Sequence, residues 1–151
     1  MAKYIDITGV ESIIFGVEDM AECRRFLGIY GLNEIVDTDS RSVWEAMDGS
    51  TVELRHVDDP SLPSAQVPGS TGRLYVWGVR NASVLDDIVA AISGDRQFTR
   101  SDGEVTTIDN DGNTVTFRVT RRRPYKAEMP QINVAGAELN RPVNQRVTFT
   151  G

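Results

Sequence analysis

Ile13-Ile14-Phe15-Gly16-Val17 and Tyr75-Val76-Trp77-Gly78-Val79 are two apolar, β-prone runs that both close in Gly-Val, with the glycines 62 residues apart. A second pair, Asp48-Gly49-Ser50-Thr51-Val52 and Asp111-Gly112-Asn113-Thr114-Val115, recurs at a spacing of 63. Two matches at nearly one offset imply a duplicated unit with a single-residue change in length. A repeat of this period decides the fold before any single motif is weighed.

Working outward, each copy shows the same order of elements. The first run predicts a strand over 8–16 and a turn at Gly16-Val17-Glu18-Asp19. Asp19 is placed to cap a helix over 20–28 by accepting an orphan amide of the first turn. Gly28 or Gly31 ends that helix, since glycine takes the left-handed conformation without a Cβ penalty. Strands follow over Leu32–Thr38, Ser42–Met47 and Thr51–Val57, and Asp48-Gly49 is the hairpin signal between the last two. The second copy opens at Gly72–Gly78. Its helix, over 83–93, carries Val84, Leu85, Ile88, Val89 and Ile92 at helical spacing. Ser83 is its expected cap, and strands follow over Gln97–Ser101, Glu104–Asp109 and Thr114–Thr120. The unit is thus βαβββ, twice. Boundaries fall at 6–58 for the first module, 59–71 for a Pro-, Ser- and Gly-bearing linker and 72–121 for the second module. Residues 122–151 are an irregular C-terminal tail or a linker to a further domain. The fold class is α+β.

Composition narrows the function classes. The chain has 151 residues, 40% hydrophobic and 25% charged, ordinary for one domain or two small fused units. Its 22 acids against 16 bases give a net charge of −6, which argues against nonspecific nucleic-acid binding. Arg121-Arg122-Arg123, closing a strand, reads as a solvated terminus. The single cysteine, Cys23, forms no intrachain disulfide. It reads as a small buried thiol, because a catalytic thiolate wants a histidine partner and the one histidine, His56, lies on another element. No signal peptide and no membrane-length apolar run is visible, so a cytoplasmic protein is expected.

The doubled unit, with Gly-Val-x-Asp leading into the first helix and Asp-Gly-[Asn/Ser]-x-Val opening each closing strand, resembles the vicinal oxygen chelate superfamily over about residues 6–120. Glyoxalase I, fosfomycin and bleomycin resistance proteins and type I extradiol dioxygenases belong to it. The resemblance implies that each module curls its sheet into half of a cup, with helices outside, and that the cup often holds a divalent metal. It also implies where the ligands stand, one on the first strand of each module and one on each closing strand. Those positions are Ser12, Leu74, Glu53 and Thr116 here. Only Glu53 is a good ligand type, whereas a catalytic divalent ion wants about three, mostly His and carboxylate. No metal and no catalytic residue is therefore expected within this chain; Fe(II) or Mn(II) would sit in a following domain.

Strand alternation still assigns a cavity lining. Ile14 and Gly16 are in phase with Ser12, Val76 with Leu74, Thr51 and Arg55 with Glu53, and Thr114 and Arg118 with Thr116. The expected ligand cavity is Ser12, Ile14, Glu53, Arg55, Leu74, Val76, Thr116 and Arg118. Its Glu and two Arg would either hold an anionic or aromatic carboxylate ligand, or fill the cup, with Glu53 paired to Arg55 or Arg118. His56 goes to the face opposite Glu53. Phe15 and Trp77 belong beneath the helices, and Trp44 fits either face.

Three readings follow. The first is the metal-free N-terminal part of an extradiol dioxygenase-like protein. The second is a stand-alone, metal-free small-molecule binding protein of the drug-resistance kind, a homo-oligomer whose acidic surface suits a cationic ligand. The third, an active glyoxalase- or thiol-transferase-like enzyme, needs a metal.

Overall fold

Two Asp-Gly turns hold the closing hairpins. At the first, Gly49 takes φ 85° and the Asp48 carboxylate accepts from the Ser50 amide at 3.0 Å. At the second, Gly112 takes φ 88°, but Asp109 is the pin, accepting from the amides of Asp111 and Asn113 at 2.9 and 2.8 Å. The computed structural model describes residues 5–124 and two short strands beyond them. In chain order the elements are β1 (Ile7–Val17), α1 (Met20–Tyr30), β2 (Asn33–Asp37), β3 (Arg41–Glu45), β4 (Thr51–His56), β5 (Thr71–Val79), α2 (Ala82–Ile92), β6 (Phe98–Ser101), β7 (Glu104–Ile108) and β8 (Thr114–Val119). The remaining two, β9 (Ile132–Val134) and β10 (Ala137–Leu139), pair antiparallel. The rest of the expected tail lies outside the described residues.

The eight main strands form one mixed, curved and unclosed sheet in the order β2-β3-β4-β1-β5-β8-β7-β6. Each half closes on itself by a parallel pair, β1 with β4 and β5 with β8, and the halves meet where β1 runs antiparallel to β5. The order reads the same from either edge when the halves are exchanged. Matching bonds extend this: the Val57 amide donates to Val17 O at 2.9 Å, and the Thr120 amide to Val79 O at 2.8 Å.

Both helices cover one face. α1 starts at Asp19, whose carboxylate accepts from Glu22 N at 2.8 Å, and ends at Gly31, at φ 97°. Of the two glycines offered for that stop, Gly31 is the one used. The cap of α2 is Asn81, not Ser83: Asn81 Oδ1 accepts from the amides of Ser83 and Val84. The helix begins one residue before Ser83, which leaves that hydroxyl inside the first turn, donating to Asn81 Oδ1 at 2.8 Å.

Two cores result. Under α1 lie Val17, Leu27, Trp44 and Leu54, with Phe15 and Val52 at the margin. Under α2 lie Val79, Val84, Leu85, Ile88 and Val105, joined by Phe98 and Phe117. Trp44 thus takes the helix face, with its indole N–H donating to Ser42 Oγ at 2.6 Å. Trp77 shares the helix face with its register partner Phe117, as expected, but is half-buried and belongs to neither core cluster.

Candidate functional site

All eight expected cavity residues stand on the four central strands and on the face away from the helices, the one expected to be concave. Register brings them together. Ile14 of β1 lies between Glu53 of β4 and Leu74 of β5, and Val76 of β5 lies between Ser12 of β1 and Thr116 of β8. The four positions expected from the resemblance, Ser12, Glu53, Leu74 and Thr116, therefore lie on the four central strands. Ser12, Ile14, Glu53, Val76 and Thr116 are buried, and Leu74, Arg55 and Arg118 are half-buried.

The hydroxyls and the carboxylate of this floor are already engaged. Thr51 Oγ1 donates to Ser12 Oγ at 2.8 Å, and the hydroxyls of Thr106 and Thr116 share a bond of 2.7 Å. Glu53 accepts from Arg41 through both oxygens, at 2.8 and 2.9 Å, and from Arg55 Nε at 2.6 Å. Burial pushes the Glu53 carboxyl up, but the hydrogen bonds and charges of Arg41 and Arg55 outweigh that and hold it below its ordinary value. Arg118 does not reach Glu53. It sits on β8 in the other half of the sheet, opposite Gly78, with Glu104 at 3.8 Å and its Nε buried without a hydrogen-bond partner. Arg41 was missing from the sequence-based cavity. Its part depends on the β3–β4 register, which brings Arg41 opposite Arg55.

The donor set does not fit a divalent ion. Both Glu53 oxygens are taken by guanidinium groups, Leu74 has no donor atom, and Ser12 and Thr116 are neutral hydroxyls. Among the described residues no group of three or more His, Cys, Asp or Glu side chains is placed to hold a metal. His56 is exposed at the end of β4, with Asp58 at 3.5 Å.

Two further charged residues went unnoticed in the sequence. Glu11 is only 2% exposed and Arg73 only 8%. The β1–β5 register shifts between Val10 and Ser12, leaving Glu11 as an extra residue on β1, and again beside Ile14, leaving Arg73 as an extra residue on β5. They stand 62 residues apart, the spacing of the two Gly-Val pairs. Each lies against the glycine of the other half. A Cβ on Gly16 would be 3.0 Å from Arg73 Nε, and one on Gly78 would meet the Glu11 carboxylate and, at 2.6 Å, Thr8 Oγ1. The Gly of Gly-Val is thus a notch for a buried charge. Arg73 donates to Pro63 O at 2.9 Å and Val57 O at 3.2 Å, which fastens the loop between β4 and β5. Glu11 accepts from Thr120 Oγ1 at 2.6 Å and from the Arg121 amide at 2.9 Å.

Within the arginine triplet Arg121 and Arg123 are exposed, as expected of a solvated terminus, but Arg122 is drawn in. Arg122 donates to Thr8 O at 3.1 Å and lies 3.6 Å from Asp48, while Arg123 forms a two-pronged pair with Glu45. The segment after β8 straps the second half onto the Asp48 turn of the first, where the Arg123 amide donates to Asp48 O at 2.8 Å.

No family model matches the chain, and no curated protein sequence matches it. Solved structures do. A Mn(II)-bound glyoxalase from Novosphingobium aromaticivorans superposes with a TM-score of 0.62 at 13% identity, over 83% of this chain and 44% of that one. A homoprotocatechuate 2,3-dioxygenase from Brevibacterium fuscum gives 0.63 at 15% identity, over 83% and 36%. A room-temperature structure of an extradiol ring-cleaving dioxygenase from B. fuscum gives 0.63 at 14% over the same shares. The chain therefore spans less than half the length of these proteins. What it shares with the glyoxalase and the dioxygenases is their fold.

Proposed function

We propose that the chain is a metal-free vicinal oxygen chelate domain, serving as the noncatalytic N-terminal part of an extradiol ring-cleaving dioxygenase-like protein. The observation that carries this reading is the Arg41–Glu53–Arg55 cluster: the one carboxylate among the four ligand positions has both oxygens bound by guanidinium. The ion pair replaces the metal as the element that neutralises the buried carboxylate. Coverage of 36% of the dioxygenase chains is in keeping with a part of a larger enzyme.

A second reading, a stand-alone binding protein, draws on the same cluster, because two guanidiniums against one carboxylate leave positive charge for an anionic or aromatic carboxylate ligand. Two measurements test these readings. Elemental analysis after incubation with Mn(II) or Fe(II) is expected to show no stoichiometric metal, and one equivalent retained by wild type but not by Glu53→Gln overturns the metal-free assignment. Reading the coding sequence past Gly151 separates the two roles. A further pair of modules with two His and a Glu at ligand positions supports the dioxygenase part, and a stop codon overturns it in favour of the stand-alone protein.

A further inference from the structure

The two helices do not fill the space beneath them equally. α2 buries Val84, Leu85 and Ile88 against the sheet, whereas α1 buries Leu27 alone. Counted from the caps Asp19 and Asn81, the α1 residues at those three positions are Glu22, Cys23 and Phe26. Leu85 is 1% exposed and Ile88 2%; Phe26 is 59% exposed. Where α2 packs its three residues against the sheet, α1 leaves a cavity of about 460 Å³. Its walls are Phe15 and Val17 of β1, Leu54 of β4, and Cys23, Phe26 and Leu27 of α1, with Glu22 and Ser70 at the rim. The same scaffold closes this space when the side chains are large and inward. The opening is therefore a property of these residues and not of the fold.

We infer that this cavity, on the helix side of the sheet and separate from the concave face, binds a neutral aromatic small molecule. Its volume lies within the roughly 300–1,000 Å³ of small-molecule sites, and its walls are apolar with polar groups confined to the rim, as such sites are. The rings of Phe15 and Phe26 line it, and aromatic faces pair with aromatic ligands beyond simple area burial. A charged ligand is disfavoured. The walls carry no formal charge to pair with one, and at the rim the Glu22 carboxylate is already engaged by Arg25, at 2.9 and 2.5 Å. Ser70, whose Oγ accepts from the Glu18 amide at 2.9 Å, offers a polar end-group a partner at the mouth. The inference does not depend on the role assigned to the concave face.

Cys23 makes the test direct, because it is the chain's one cysteine and lines the cavity. The probe is 2-naphthol and the readout is the rate of Cys23 alkylation by iodoacetamide. At about ten times its Kd the probe leaves about a tenth of the sites free, so alkylation slows about tenfold and saturably. Cys23→Leu places at this position the side chain that α2 uses, and is expected to abolish 2-naphthol binding, read by its fluorescence, while the melting temperature stays at or above that of wild type. An alkylation rate unmoved by 2-naphthol up to its solubility limit overturns the proposal. So does a folded Cys23→Leu protein that binds the probe with unchanged Kd.

Discussion

Replacing Gly78 by Ala adds one methyl group where there is no room for it. The new Cβ would stand 2.6 Å from Thr8 Oγ1, 3.0 Å from Glu11 Cδ and nearer still to Glu11 Oε1. Glu11 is buried and accepts from Thr120 Oγ1 and the Arg121 amide, so it cannot retreat without giving up those bonds. Overpacking costs about 1–3 kcal/mol. A hydrogen bond to a charged group contributes about 1.5–3 kcal/mol, and displacing the carboxylate strains two of them. The expected loss is about 3–5 kcal/mol, or roughly 10 °C or more in melting temperature for a chain of this length. Gly16→Ala is the internal control. There the nearest neighbours, Arg73 Nε at 3.0 Å and Leu62 Cδ1 at 3.1 Å, stand farther off than Thr8 Oγ1 does from Gly78, so a smaller shift suffices and the expected loss is about 1 kcal/mol. Urea titration followed by circular dichroism, with unchanged m-values, measures both. Glu11→Ala removes the carboxylate part of the clash and leaves only the Thr8 hydroxyl, so the Glu11→Ala/Gly78→Ala pair should lose less than the sum of its singles by about 1–3 kcal/mol. A Gly78→Ala loss no larger than that of Gly16→Ala, or additivity in the cycle, would refute the reasoning.

The remaining expectations concern the floor, the caps and the strap. Glu53 is held below its ordinary value of 4.5 when folded, so it stabilises the fold above that pH and the contribution is lost as pH falls through the folded value. Glu53→Gln should cost about 1–3 kcal/mol at pH 7, and its melting temperature should converge on wild type in acid; a gap that stays constant from pH 7 to pH 3 sinks the assignment. Asn81→Ala should cost about 1 kcal/mol in thermal melts and Ser83→Ala much less, the reverse order showing Ser83 to be the cap. Arg122→Ala removes the bond to Thr8 O and the charge beside Glu11 and Asp48, and should lose about 1–2 kcal/mol, more than Arg121→Ala, in the same urea titration.

What was legible in the sequence was what local chemistry or strand alternation dictates. Asp19 and Gly31 bound α1 because capping needs only neighbouring residues. That the eight expected cavity residues share one sheet face follows from period-2 alternation, because β1, β4, β5 and β8 keep their phase across Ser12–Ile14, Glu53–Arg55, Leu74–Val76 and Thr116–Arg118. Ser83 was preferred to Asn81 because a hydroxyl beside the first apolar position looks like a cap, whereas the helix starts one residue earlier. Arg41 was invisible because its partner is fixed by cross-strand register. Glu11 and Arg73 were hidden for a sharper reason: each stands at a bulge, where alternation stops being a guide. A signal was nonetheless present, since two opposite charges occupy matching places in otherwise apolar runs, 62 residues apart.

The crossed seating of those two charges bears on how the molecule can be taken apart. The first half carries the notch for Arg73 and the acid for Gly78; the second carries the base and the other notch. A cut in the loop between β4 and β5 leaves two fragments that are each other's missing ligand. Such fragments are expected to fold together on mixing and to remain unstructured apart, which would make this fold a natural split-protein sensor, with the β1–β5 seam as the surface on which reassembly is read.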